Sequence, residues 1–181
     1  MEELKNIKLP DPKQPKSSTK KVKTEKEKKI RVVAQTNAWT KRDDIQTMTS
    51  EVEKQYERFL TKNENDPIYK IMLQQIQQKI NGYRFQDIEK GVLSDDFITT
   101  ERCLELLEKS RFDCYYCKEK IQVLYKHVRE PKQWSLERID NKIGHTNTNV
   151  EIACLSCNLR RRTMYHERFI FTKQLNITKM G

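Results

Sequence analysis

The most informative part of the chain is residues 134–162, which read WSLERIDNKIGHTNTNVEIACLSCNLRRR. Apolar and polar side chains alternate over residues 134–139 and again over 150–154, a pattern that predicts two short strands. The polar loop between them contains Gly144, which permits a turn, and a helix is expected to open at Cys157. The predicted order is therefore strand, loop, strand, helix, with polar side chains gathered where these elements meet.

Two C-x-x-C pairs are associated with this segment. Cys114 and Cys117 precede the first strand, and Cys154 and Cys157 lie where the second strand meets the helix. Two such pairs can supply four thiolates in the tetrahedral geometry that structural zinc prefers, so we predict a closed zinc site that stabilises the fold. The spacing also leaves open an iron–sulfur cluster and, for one pair alone, a redox-active disulfide. Cys103 has no cysteine two or three positions away and is predicted to be a core residue.

The region before the first cysteine pair is predicted to be helical, because apolar residues recur there at helical spacing. We expect three helices, over residues 49–62, 66–82 and 100–110. In the second helix Asp66 is the expected cap and Pro67 belongs to the first turn, while Asn81 and Gly82 are expected to end it. Residues 83–98 are then a connection, and the first two helices are predicted to form a hairpin.

Positive charge is concentrated at the two ends of the chain. The 181 residues include 36 Lys and Arg against 26 Asp and Glu, a net charge of +10. Residues 1–30 contain ten lysines and five acids, and residues 158–181 contain six basic side chains and one acid, so the stretch between them is neutral. Basic ends usually bind polyanions, most often nucleic acid, although a lysine-rich tail can also serve solubility alone.

The composition also excludes several classes of protein. With 4 glycines and 5 prolines the chain is not expected to be collagen-like or a turn-rich all-β sandwich. It has no run of about 18 apolar residues that would predict a membrane span, and its first residues lack the apolar segment of a secretory signal. We therefore expect an intracellular protein with reduced thiols and no membrane partner; nucleus, cytoplasm and viral factory are not distinguished.

We divide the chain into three parts. Residues 1–40 are expected to be a disordered, lysine-rich tail, because they lack a periodic apolar face that could offset the entropy of ordering. Residues 41–110 form a helical region, and a protein partner or a second copy of the chain could dock on residues 49–110. Residues 111–181 form the zinc-containing domain. The predicted fold class is α+β.

The segment from Phe112 to Arg162 resembles the HNH endonuclease family, in the branch whose motif reads S-L-(D/E)-R-I-D-N, G-H, N-V and C-x-x-C-N. The resemblance covers roughly a quarter to a third of the chain. It implies a small ββα-metal fold, also called a His-Me finger, in which two strands and a helix hold one catalytic cation, Mg²⁺ or Mn²⁺, in addition to the structural zinc. It also implies hydrolysis of phosphodiester bonds in double-stranded or branched DNA.

The resemblance assigns roles to individual residues. Glu137 takes the place of the first-strand acid that binds the catalytic cation, and Asn158 takes that of the metal ligand on the helix. Asp140 is a further candidate ligand, since hard cations take oxygen ligands. Asn149 takes the place of the residue that pins the loop.

The sequence departs from the family pattern at the general base, whose position is occupied by Arg138. Arginine keeps its proton at neutral pH and cannot serve as a base. His145 in the loop is the candidate replacement, because an imidazole titrates in the required range. Arg138 is instead expected to bind phosphate or neutralise its developing charge. Three arginines on the helix are expected to contact neighbouring phosphates: Arg160, Arg161 and Arg162.

Two other functions are compatible with the same residues. Arg138 could mark a lost base, in which case the fold would serve as a catalytically inactive DNA-binding or architectural module. Alternatively, the zinc-containing domain could be an interaction subunit of a larger nucleic-acid machine, with residues 49–110 as its docking surface.

Overall fold

A computed structural model describes residues 28–31 and 48–174 of the chain. The predicted disordered tail over residues 1–40 lies outside the described residues except for 28–31, and the end of the basic C-terminal stretch, 175–181, lies outside them too. Within the described part, no helix is both long enough and apolar enough to span a membrane.

Within residues 52–110 the chain forms the helices α1 (Val52–Thr61), α2 (Pro67–Glu89) and α3 (Thr100–Ser110). The predicted starts of α2 and α3 are confirmed. Asp66 caps α2 by accepting a hydrogen bond from the Ile68 N–H at 2.9 Å, and Pro67 is the first helical residue. Thr99 caps α3 by accepting a hydrogen bond from the Arg102 N–H at 3.1 Å.

The predicted end of α2 is wrong, because the helix passes through Asn81 and Gly82 and continues to Glu89. Gly82 is helical, and the space where a side chain would stand is open, so nothing there forces the chain to turn. A glycine inside a helix costs about 1 kcal/mol. The burial of Tyr83 and Asp87 against the rest of the protein outweighs that cost. The connection to α3 therefore begins later than predicted.

Between residues 111 and 174 the structure has two antiparallel strands and two helices: β1 (Trp134–Arg138), β2 (Val150–Cys154), α4 (Leu155–Arg161) and α5 (His166–Gln174). In the sheet Leu136 lies opposite Ile152. Helix α4 follows β2 directly, because the sulfur of Cys154 caps the helix by accepting a hydrogen bond from the Cys157 N–H at 3.3 Å. Strand, loop, strand and helix thus occur in the predicted order, and the α+β fold class is confirmed.

Helix α2 covers the outer edge of β1. The amine of Lys79 donates to the carbonyl of Trp134, and the hydroxyl of Tyr83, one turn later, accepts a hydrogen bond from the Leu136 N–H at 3.1 Å. These backbone groups of β1 are not paired with β2, and each would cost about 1–3 kcal/mol if it were buried without a partner. Polar side chains therefore attach α2 to the sheet.

One hydrophobic core joins the helices to the sheet. It contains Met72 and Ile76 of α2, Leu107 of α3, and Leu136 and Ile152 of the two strands, all of them buried. Burial of side chains of this size contributes about 1.5–3 kcal/mol each. The shared core holds α2 against the sheet and against the loop between the strands.

Candidate metal centre and candidate active site

Four cysteine sulfurs meet at one place, as the two C-x-x-C pairs predict. The ligand atoms of Cys114, Cys117, Cys154 and Cys157 all lie within 4.8 Å of one another. The two pairs are joined by a hydrogen bond from the Cys154 N–H to the Cys114 sulfur at 3.2 Å. Four sulfur donors at this spacing could hold a metal such as zinc. Cys103 does not belong to this group and is buried in the core, as predicted.

The sulfurs of the cluster change one another's acidity. A hydrogen bond from Cys154 lowers the pKa of Cys114 to about 5, and the same contact raises the pKa of Cys154. Burial raises the pKa of Cys157 to about 12. A metal bound by the four sulfurs would displace their thiol protons.

An open cavity of about 260 Å³ lies between α2, β1, the loop that follows β1, and α4. Four of the site residues predicted from the sequence line this cavity together: Glu137 and Arg138 of β1, His145 of the loop and Asn158 of α4. The rest of its wall is formed by Tyr83, Gln86, Lys90, Leu136, Asn141, Leu159 and Arg162. The cavity thus places a carboxylate, an imidazole, an amide and several cations around one space.

Glu137 is held by a buried ion pair with Arg161. Its Oε1 accepts a hydrogen bond from the guanidinium, and the two residues expose only 4% and 2% of their surface. Burial raises the pKa of Glu137 to about 7, although Arg161 acts in the opposite direction. The other carboxylate oxygen, Oε2, has no hydrogen-bond partner among the described residues, so the carboxylate keeps one oxygen for a ligand.

Arg161 is buried, and the prediction that it contacts phosphate is corrected by its position. Its guanidinium donates to the carbonyls of Arg138 at 2.7 Å and Ile139 at 2.6 Å. These contacts tie α4 to the end of β1. Its neighbours Arg160 and Arg162 are exposed, and Arg162 lines the cavity, so these two stay candidates for phosphate contact.

Asn158 is anchored to β1 through its amide nitrogen. Nδ2 donates to the Ser135 hydroxyl at 3.3 Å and to the Leu136 carbonyl at 3.2 Å. The amide oxygen, Oδ1, makes no hydrogen bond within the described part of the chain. An oxygen is thus held at the cavity wall with its amide oriented by two hydrogen bonds, which is what a metal ligand requires.

The loop between the strands is held by Asn149. Its Nδ2 donates to the carbonyls of Asp140 and Gly144, both at 3.0 Å, and its Oδ1 accepts from the Asp140 N–H at 2.9 Å. The side chain therefore spans the loop. The carboxylate of Asp140 accepts from the Lys142 N–H at 2.9 Å, and Asp140 lines a different cavity, beside α5. Its role as a ligand of the same cation as Glu137 stays a prediction, and the observed contact stabilises the turn after β1.

His145 is held by a carboxylate that the sequence did not reveal. Asp87 of α2 is fully buried; its Oδ1 lies 2.8 Å from His145 Nδ1, and its Oδ2 accepts from the His145 N–H at 2.6 Å. The ring of Tyr83 packs on the imidazole, with 4.6 Å between the ring centroids. Burial lowers the pKa of His145 below the ordinary imidazole value, and Asp87 opposes this shift. The imidazole is therefore neutral at pH 7.

The sequence pattern predicts a connection after Gly82, and it therefore gives no reason for Asp87 and Lys90 to lie beside the loop. The signal that could have found them is the spacing of Lys79, Tyr83 and Asp87, which stand one helical turn apart and therefore share one face of a continued helix.

No protein-family model, curated protein or solved structure matches this chain. The cysteine cluster suits a metal that stabilises structure. The cavity offers oxygen ligands, a neutral imidazole and cations in one place.

Proposed function

We propose that the protein is a metal-dependent endonuclease that hydrolyses phosphodiester bonds of DNA through an HNH-type site on a ββα-metal fold. The observation that carries this proposal is the single cavity that Glu137, His145 and Asn158 line together. Phosphodiester hydrolysis needs a base for the attacking water, stabilisation of the charge that develops on the phosphate, and groups that bind the DNA backbone. The cavity offers a candidate for each of these roles.

The oxygen donors of the cavity fit a hard divalent cation. Glu137 Oε2 and Asn158 Oδ1 are a carboxylate and an amide oxygen, ligand types that suit Mg²⁺ and Mn²⁺. When bound, such a cation supplies Lewis-acid stabilisation of negative charge on the phosphate and on the leaving oxygen. The ion pair with Arg161 occupies only Oε1 and holds the carboxylate in place.

His145 is the candidate general base. It is neutral at pH 7, because burial lowers its pKa, and a neutral imidazole can take a proton from water. The imidazole lines the same cavity as the two oxygen donors. The imidazole and a cation held by these oxygens would therefore act on the same bound phosphate.

Cations around the cavity would bind the DNA backbone. Lys90, Arg138 and Arg162 line it, and Arg160 is exposed on the same helix as Asn158. Nη1 of Arg138 donates to the carbonyl of residue 143 at 3.2 Å, which holds this guanidinium at the loop. Contacts between such side chains and phosphates supply most of the affinity of sequence-independent DNA binding, and they weaken as salt increases.

The cysteine cluster would hold zinc in a structural role. Four sulfur ligands leave no coordination position for a substrate. Cys154 and Cys157 lie at the start of α4, and Asn158 follows directly. Zinc bound there would therefore stabilise the end of the helix that carries the proposed cation ligand.

The test is an assay of the purified full chain on supercoiled, linear, branched and single-stranded DNA with Mg²⁺ or Mn²⁺. We expect the wild type to cleave, and Asn158→Ala to lose cleavage while its zinc content is unchanged. Asn65→Ala, in the exposed turn between α1 and α2, is the matched control and should cleave like the wild type. A wild-type protein that leaves every form of DNA intact with both metals would contradict the proposal.

A catalytically inactive DNA-binding module is the second candidate, and the Glu137–Arg161 ion pair favours it. A guanidinium beside the carboxylate reduces the negative charge that would attract a divalent cation. This function predicts DNA binding whose affinity falls with salt but no cleavage product. The same assay, combined with a binding titration, separates the two functions.

A further inference from the structure

Asp87 directs both of its carboxylate oxygens to one residue of the cavity. Oδ1 lies 2.8 Å from His145 Nδ1, and Oδ2 accepts from the His145 backbone N–H at 2.6 Å. Asp87 exposes none of its surface, so water does not compete for these contacts. The carboxylate is thus committed to the orientation of His145.

This pairing determines which nitrogen of the neutral imidazole carries the proton. A carboxylate only accepts hydrogen bonds, so Nδ1 of His145 must be the protonated nitrogen. Nε2 then keeps its lone pair, which is the form that a general base requires. The second hydrogen bond holds the His145 backbone against the same carboxylate and restricts the position of the ring.

The loop is pressed against α2 at this point. A Cβ added to Gly144 would lie 2.4 Å from the Val92 carbonyl oxygen and 2.8 Å from Asp87 Oδ2, so that a side chain does not fit there. Tyr83, one turn before Asp87, packs on the imidazole and bonds to the edge of β1. The close approach of the loop and the attachment of α2 together fix the distance between Asp87 and His145.

We propose that Asp87 is a positioning residue of the active site, which holds His145 with Nδ1 protonated and Nε2 available as the base. The proposal rests on the proposed function, since it assigns the base of DNA hydrolysis. In that step a proton passes from water to Nε2, the water oxygen bonds to phosphorus, and the bond from phosphorus to the 3′ oxygen breaks. The leaving oxygen takes a proton from solvent, and His145 later returns its proton to solvent.

The charged groups that face His145 come from several elements. Asp87 belongs to α2, Lys90 to the turn after it, and Arg138 to β1. Tyr83 also packs on the ring, and burial raises its pKa, so it stays neutral. Asp87 stabilises the imidazolium, whereas the two cations destabilise it. Removal of the Asp87 charge should therefore move the acid limb of the pH–rate profile to lower pH.

Asp87→Asn is the informative variant. An amide has one acceptor oxygen where the carboxylate has two, and the backbone N–H of His145 needs that oxygen. The NH₂ group of the amide then faces Nδ1, and the ring must carry its proton on Nε2. We expect cleavage to slow by at least about 100-fold, with unchanged zinc content. Glu89→Gln removes the same charge at an exposed position of α2 and should cleave like the wild type.

A second measurement does not depend on activity. Nitrogen-15 chemical shifts of the imidazole report which ring nitrogen is protonated, and His145→Gln assigns the signals among the 3 histidines. We expect protonated Nδ1 in the wild type and protonated Nε2 in Asp87→Asn. A wild type with its proton on Nε2 would overturn the proposal, and so would an Asp87→Asn variant that keeps the wild-type rate and pH–rate profile.

The role of Asp87 and the proposed function fail in different ways. If the wild type cuts no DNA, the proposed function fails and the catalytic role of Asp87 fails with it, whatever the tautomer. If the wild type cuts DNA but His145 carries its proton on Nε2, only the role of Asp87 fails. If Asp87→Asn does not fold, the tautomer of the wild-type protein decides, because that measurement needs no variant of Asp87.

Discussion

The hydroxyl of Tyr83 accepts a hydrogen bond from the backbone N–H of Leu136 at 3.1 Å. This contact joins α2 to the open edge of β1, the strand that carries two residues of the candidate active site. Lys79, one turn earlier, bonds to the same strand, and Asp87, one turn later, bonds to His145 in the loop between the strands. One face of α2 therefore stabilises the sheet and builds part of the site.

Tyr83→Phe should lower the free energy of unfolding by about 1–3 kcal/mol, because it leaves the buried N–H of Leu136 without an acceptor. The aromatic ring is retained, so its packing is not lost. Urea denaturation of the zinc-loaded protein measures the change. Tyr165→Phe, at a tyrosine that is 81% exposed, is the matched control and should change stability by less than about 0.5 kcal/mol. Equal effects of the two substitutions would contradict the importance of the α2–β1 contact.

Arg161→Met should destabilise the protein by about 3–5 kcal/mol, because it leaves the buried carboxylate of Glu137 without its cation. Adding Glu137→Gln to this variant should restore part of the loss, since the uncompensated charge is then removed. Arg160→Met, at the exposed neighbouring arginine, is the control for the loss of a charge from α4. Equal losses of stability in Arg161→Met and Arg160→Met, measured by urea denaturation, would show that the ion pair does not stabilise the fold.

Cys157→Ser should remove most of the bound zinc and lead to loss of the folded structure, since metal binding and folding are coupled in small zinc-containing domains. Metal analysis of the purified protein and far-ultraviolet circular dichroism measure the two effects. Cys103→Ala is the control, because Cys103 is buried outside the cluster and should keep zinc despite a loss of packing. Full zinc content in Cys157→Ser would show that the cluster is not the metal site.

The stability of the protein should rise between pH 7 and pH 10 because of Lys79. Burial lowers its pKa to about 7 from an ordinary value of 10.5. Between these values the unfolded chain binds a proton that the folded chain lacks, so a decrease in pH favours unfolding. Lys79→Met should flatten this dependence in urea denaturation at several pH values, whereas Lys70→Met, at an exposed position of α2, should preserve it. An unchanged slope in Lys79→Met would rule out Lys79 as its source.

Features that depend on local patterns could be predicted from the sequence. The cysteine cluster follows from two C-x-x-C pairs, and β1 and β2 follow from the alternation of apolar and polar residues. The start of α2 follows from Asp66 and Pro67, whose roles as cap and first helical residue depend only on the neighbouring backbone.

Features that depend on tertiary packing could not be predicted. Gly82 is a helix-ending signal when it is considered alone, and only the burial of Tyr83 and Asp87 against the sheet and loop makes the helix continue. Arg161 is one of three consecutive arginines, and nothing local distinguishes it. The orientation of α4 over Glu137 decides that this arginine is buried while its neighbours face solvent.

The most direct test of the candidate active site is the rate at which wild type and His145→Gln nick supercoiled plasmid in Mg²⁺ or Mn²⁺ at equal zinc content. His127→Gln, at a histidine that does not line the cavity, is the matched control. We predict that wild type and His127→Gln nick the plasmid and that His145→Gln is at least about 100-fold slower. Nicking by His145→Gln at the wild-type rate, or no nicking by the wild type with either metal, would contradict the assignment of this cavity as a nuclease site.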